Sequence, residues 1–179
     1  MSGHSKWSTI KHKKAAIDAK RGKIFSIISK QLTVAVKEGG SGDPTQNPRL
    51  RLAMEKAREA NMPHTNIDKA IEKGLGREGG AEIETIIYEG YGAGGVGLMV
   101  KTLTDNRNRT GSEVKTLFDR NGGSLAGPGA AAYLFERDGD GYRVKVPLVI
   151  GEEDKRTVLG LVDALEEQED VEGVWTNMT

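Results

Sequence analysis

The period of the apolar pattern changes from helical to strand-like at the glycine-rich segment Gly74 to Gly80, GLGREGG. Before that segment apolar residues recur three, four or seven apart, the spacing of one helix face. Directly after it they alternate or run together, as in strands, before helical runs return further on. Two periods separated by a glycine break imply two domains with a boundary near residue 80.

The helical half divides further. From Lys14 to Glu38 apolar residues fall at Ile17, Ile24, Phe25, Ile28, Leu32, Ala35 and Val36, and Gly39 and Gly40 end the run. This predicts one long helix, with Gly22 as the place for a bend. SGDPTQNP forms a loop, and Pro48 suits the first turn of a second helix, Arg49 to Ala60, with Leu50, Ala53, Met54 and Ala57 on one face. Thr65 or Asn66 can cap a third helix that runs to Lys73 and stops at Gly74.

Beyond residue 80, IETIIYEGY and VGLMVKTLT read as strands, and Asn106 can cap a helix from Arg107 to Asn121. AAYLFER and YRVKVPL read as a hairpin joined by DGDG, followed by a helix from Glu152 to Gln168 and a closing strand in VEGVWTN. From Val96 the order is β-α-β-β-α-β. The fold class is therefore α+β: a three-helix domain over residues 1–80, then a ferredoxin-like βαββαβ sandwich over 81–179 with the 83–91 strand as an extra edge.

Charge divides at the same place. Residues 1–80 hold 16 basic and 8 acidic groups, net +8, and residues 81–179 hold 10 and 18, net −8, so the zero formal charge is a cancellation. Between Ser5 and Lys30 the basic residues Lys6, Lys11, Lys13, Lys14, Lys20, Arg21, Lys23 and Lys30 face Asp18 alone, a net of +7 beside His12. That density suits phosphate neutralisation, and Trp7 adds a ring on which a base can stack. The plainer alternative is a solvated helix face with Trp7 as its anchor. In TDNRNRT, Arg107 and Arg109 at a helix start either provide ordinary surface charge behind an Asn106 cap or grip a phosphate together.

Other chemistry is excluded or weak. The chain has no cysteine, so disulfides, thiolate metal sites and cysteine nucleophiles are absent, which fits a reducing, cytoplasmic setting. No apolar run reaches the roughly 18 residues of a membrane span, and the first residues lack the apolar core of a signal peptide. His4, His12 and His64 show no metal-ligand spacing, and no serine sits in a nucleophile elbow. Gly90, Gly92 and Gly95 match G-x-G-x-x-G, but a strand follows where a dinucleotide site needs a helix, so this is read as a tight turn. The chain is thus expected to be non-enzymatic, with no cofactor and no small-molecule substrate.

GHSKWSTIKHKKAAIDAKRGKIF, NPRLRLAMEKAREANMPHTNIDKAIEKG, IIYEGYGAGGVG, TDNRNRTGSEVK and DVEGVWTN, in that order, resemble the YebC/PmpR family. The resemblance implies a helical domain followed by two α/β domains, the third inserted in the second. Here the DGDG turn at 138–141 stands in place of that insertion. Ala93 stands where the family usually has proline, and Glu172 and Trp175 where it usually has glutamine and tyrosine. The family implies two activities: a ribosome-associated factor that promotes translation, notably through proline runs, and a regulator that binds promoter DNA. A charged arm without base-reading side chains on a recognition helix favours ribosomal RNA.

Overall fold

The structure is a computed structural model that describes the backbone of residues 3–179 and the side chains from Lys14 onward. Its contacts fall into two compact units, Met1–Gly80 and Ala81–Thr179. None of the described helices is long and apolar enough to cross a membrane.

The first unit contains α1 (Gly3–Gly39), α2 (Pro48–Glu59) and α3 (His64–Gly74). α1 begins eleven positions before the predicted start and passes through Gly22 without interruption. Periodicity gives those extra turns little signal, because GHSKWSTIKHK offers only Trp7 and Ile10 as apolar residues. The core is built from Ile28, Leu32, Ala35 and Val36 of α1, Leu50, Ala53 and Ala57 of α2, Met62, and Ile67 and Ala70 of α3. Burial of that apolar area is the main force holding the three helices together.

One polar residue fixes how the helices join. Asn47 is buried; its side-chain amide donates to the carbonyls of Ala35 (2.8 Å) and Ser41 (3.0 Å), and its Oδ1 accepts from the backbone N–H of Leu50 (3.1 Å). It caps α2 ahead of Pro48 while tying the end of α1 to the loop. The third helix begins at His64 behind Pro63, with no side-chain cap, so neither Thr65 nor Asn66 takes that role.

The second unit is a four-stranded antiparallel sheet with strands β1 (Glu84–Tyr91), β2 (Gly97–Thr104), β3 (Ser124–Ala126) and β6 (Val171–Thr176), in the spatial order β3-β1-β2-β6. The helices α4 (Arg107–Arg120) and α5 (Glu152–Glu167) pack on one face through Val114, Phe118, Val158, Leu161 and Leu165 against Leu98 and Val100. Gly90 lets Phe118 approach this closely: a Cβ there would stand 2.5 Å from the Phe118 ring. Met99, whose side chain alternates to the other face, meets Leu134, Phe135, Tyr142 and Trp175.

That second face is covered by a separate ladder, β4 (Phe135–Asp138) with β5 (Gly141–Val144), turned at Gly139 with φ +58°. Tyr142 packs edge-on against Trp175 with centroids 5.2 Å apart. The Lys101 Nζ pairs with Glu172 at 2.9 Å and donates to the Asp140 carbonyl, holding the turn to the sheet.

The α+β class and the order of a helical unit before an α/β unit are as expected, but strand placement differs in two respects. The 84–91 strand is internal, hydrogen-bonded to β2 along its whole length and to β3 at its end, and is not an extra edge. The DGDG hairpin forms, yet its strands lie outside the main sheet. Both differences follow from β3: three residues after Gly122 and Gly123 are too few to show a period, yet they occupy the edge. The predicted strand AAYLFER opens as a 3-10 turn at Ala132–Leu134, which leaves only Phe135 onward to pair with β5.

The loop before that turn is held by a buried carboxylate. The two carboxylate oxygens of Glu89 accept the backbone N–H groups of Gly129 (2.7 Å), Ala131 (2.7 Å) and Ala132 (2.8 Å). Burial alone pushes this carboxyl up, but the three N–H donors outweigh burial and hold it below its ordinary value. A depressed carboxylate stabilises the fold fully above the unfolded value, and that contribution fades as pH falls through the folded one. Glu89→Gln should therefore lower the unfolding free energy by roughly 1–3 kcal/mol at pH 7. In thermal melts the gap to the native chain should narrow as pH drops below the ordinary value of 4.5.

Candidate nucleic-acid interface

α1 is 37 residues long, which at 1.5 Å per residue is about 55 Å, and its described side chains enter the core only from Phe25 downward. Every residue from Lys14 to Gly22 is exposed. The upper part of the helix is therefore an arm whose described side chains lie outside the core that secures its lower half. Lys14, Lys20 and Arg21 are exposed on it, while Lys23 and Lys30, closer to the core, are half-buried. The Arg21 guanidinium lies over the Phe25 ring, 5.3 Å from its centroid, a cation–π contact that positions the charge. Lys6, Trp7, Lys11, His12 and Lys13 lie outside the described residues.

Further positive charge comes from α2, where Arg51, Lys56 and Arg58 are exposed. In the sequence Glu55 and Glu59 alternate with them, so no local run of one sign marks them out. Arg49 is committed to an ion pair with Glu38. On α3, Asp68 and Glu72 balance Lys69 and Lys73, so that helix carries no net charge.

Arg107 and Arg109 stand at the start of α4, where the Asn106 Oδ1 accepts the N–H of Arg109 at 3.1 Å and caps the helix as expected. Both arginines are engaged by carboxylates. Arg107 holds Glu84 through two nitrogens, at 2.6 and 3.3 Å, and that pairing raises its pKa. The Arg109 Nη2 lies 2.9 Å from the Asp170 Oδ2 and 3.2 Å from the Asp105 Oδ1, and the Asp170 hydrogen bond is the main cause of its raised pKa. Asp170 is fully buried. It also accepts from the Thr110 hydroxyl at 2.6 Å, which in turn lies 2.7 Å from the Thr104 hydroxyl, and its backbone N–H donates to the Gln168 Oε1 at 2.7 Å. The end of β2, the first turn of α4 and the entry to β6 thus meet on one carboxylate. A phosphate at this place would have to displace carboxylates from both arginines, so the geometry favours the structural role over the gripping one.

The glycine segment forms the tight turn between β1 and β2, with the Gly92 N–H donating to the Val96 carbonyl at 2.8 Å and a 3-10 turn at Ala93–Gly95. A strand follows it, and so it offers no helix N-terminus to a pyrophosphate.

Comparison with known proteins assigns both units. Residues 5–77 match the TACO1/YebC protein N-terminal domain, and residues 83–140 match the TACO1/YebC second and third domain. The chain belongs to the TACO1/YebC family. A TACO1/YebC relative from Pelotomaculum thermopropionicum, named "Probable transcriptional regulatory protein", is 56% identical over 139 residues, covering 78% of this chain and 57% of that protein. One from Beutenbergia cavernae with the same name is 54% identical over 163 residues, covering 90% and 63%. The chain thus spans less than two thirds of the length of these relatives. The crystal structure of a conserved hypothetical protein, Aq1575 from Aquifex aeolicus, superposes with a TM-score of 0.85 at 33% identity, covering 91% of this chain and 92% of that one. The two relatives from Pelotomaculum and Beutenbergia carry the name of a regulatory protein and not of an enzyme, in agreement with the non-enzymatic expectation. The second family match ends at Asp140, inside the β4–β5 turn.

The Asp170 network yields a stability test. Asp170→Asn should lower the unfolding free energy by roughly 2–3 kcal/mol, less than for a fully buried pair. The discount reflects Arg109, whose side chain is 36% exposed. Arg107→Gln, which breaks an exposed pair, should leave the urea midpoint nearly unchanged.

Proposed function

We propose that this chain is an RNA-binding gene-expression factor that acts in the cytoplasm, docks on the ribosome through the α1 arm and promotes translation, for example through proline runs. The observation that carries the proposal is the exposed run Lys14 to Gly22, where positive side chains project from a rigid element beyond the domain core. Such an arm neutralises phosphates in a groove or along a strand without base-edge contacts, the mode expected for structured ribosomal RNA. In the sequence Lys13, Lys11 and Lys6 continue the same charge, with His12 and Trp7 beside them. The α/β unit, net −8, offers polyanions little, which orients docking so that the arm makes first contact.

The balanced charge of α3, Asp68 and Glu72 against Lys69 and Lys73, supports RNA over a DNA major groove, since a recognition helix pairs phosphate contacts with base readers. A second reading, a DNA-binding transcriptional regulator, is favoured by the names its relatives carry. It requires sequence preference, which competition between promoter and unrelated duplex measures directly. We also propose that the turn at 138–141 stands where longer relatives carry a further domain, as the end of the family match at Asp140 supports.

In the full chain, Lys14→Gln, Lys20→Gln and Arg21→Gln together should lower affinity for ribosomes about tenfold or more at moderate salt. They should also reduce the slope of log affinity against log salt by about 2. Co-sedimentation over a salt series gives both values. Unchanged ribosome affinity in the triple variant would remove the arm from the function.

A further inference from the structure

The arm carries more than charge. Positions 14, 17, 21, 24, 28, 32 and 35 of α1 follow one another three or four apart and so share one helix face. Ile28, Leu32 and Ala35 bury that face in the core, whereas Ile24 is 50% exposed and Ile17 66% exposed. Between the two isoleucines lies Arg21, on the outer side of its contact with Phe25, and Lys14 and Lys20 flank the stripe. The core-facing side of the helix thus continues past its own core as an apolar stripe edged with cations.

Phosphate neutralisation does not require isoleucine. A partner that covers Ile17 and Ile24 gains from removing their apolar surface from water, and a partner made only of phosphate does not. A second copy of the helix is a poor occupant, because it would set Lys14, Lys20 and Arg21 against the same cations. The occupant must be anionic and must also expose flat apolar surface. A paired RNA helix hides its bases in the stack; a loop, bulge or single strand presents them.

We propose that this stripe receives RNA with unstacked bases: bases cover Ile17, Arg21 and Ile24, while adjacent phosphates meet Lys14 and Lys20. The proposal rests on the reading that the arm binds RNA, and it names the kind of RNA. Guanidinium planes and apolar side chains accept any base face, so the selectivity is for unpaired structure and not for sequence.

The test compares two fluorescent RNAs on the full chain by anisotropy: a perfect duplex, and the same duplex interrupted by an internal loop of unpaired bases. The looped RNA should bind about tenfold more tightly, within the range for one or two stacked bases. Ile17→Ala with Ile24→Ala should abolish that preference; alanine favours helix, so circular dichroism should show the arm still helical. Equal affinity for the two RNAs, or a preference that survives the alanine pair, would overturn the proposal. If the Lys14, Lys20 and Arg21 glutamine variant still weakens both RNAs in that case, the arm's role in RNA binding stands and only the stripe's role falls. If that variant leaves both affinities unchanged, both readings fall. Retention of the preference for looped RNA alongside loss of binding to an acidic helical peptide in the alanine pair would reassign the stripe to a protein partner and overturn the RNA proposal.

Discussion

The burial of one face of α1 by α2 and α3 determines what the first unit can do. That contact takes only Ile28 to Val36, with Phe25 at its rim, yet the helix is 37 residues long. An isolated helix of such composition would be marginal in water. Secured at one end by a packed core, it can project charge outward while the domain beneath remains folded. Asn47 is central to this arrangement, because its three hydrogen bonds fix where α1 stops and where α2 starts. The arm depends on that anchoring, and the core does not use the described residues above Phe25.

The α/β unit distributes its charge differently. Two buried carboxylates organise it: Glu89 gathers the N–H groups of the 129–132 loop, and Asp170 joins α4 to β2 and the entry of β6. Arg109 joins this internal scheme through Asp170, and Arg107 pairs with Glu84 at the surface. Positive side chains that project outward are concentrated in the helical unit, consistent with the +8 and −8 division of the sequence. Lys101, the turn carbonyl of Asp140 and Glu172 form a comparable tie on the other face, where Trp175 packs on Tyr142. Glu172 and Trp175 both sit beside the short turn.

Much of this was legible in the sequence where the physical signal is local. The Asn106 cap, Pro48 at the start of α2, the DGDG turn and the amphipathic faces of α2, α4 and α5 all follow from single-element chemistry. What was not legible depends on partners distant in sequence. Ser124–Ala126 is a strand only because β1 has a free edge there, and its presence places β1 inside the sheet. The beginning of α1 holds only Trp7 and Ile10 as apolar residues, too few to mark where the helix starts. Of the candidate site, the arm was visible as a run of charge, but the pairing of Arg109 with Asp170, 61 positions away, was not. The exposed stripe required knowing where the core ends.

The central claim is that the arm binds and the core folds, each separable from the other. The most direct measurement is a chain that begins at Lys23, assayed in parallel for urea unfolding of the helical unit and for ribosome binding. The unfolding transition should stay close to that of the full chain, since the described residues removed lie outside the core, and ribosome binding should be lost. Binding that survives the truncation, or a helical unit that no longer folds without those residues, would contradict it.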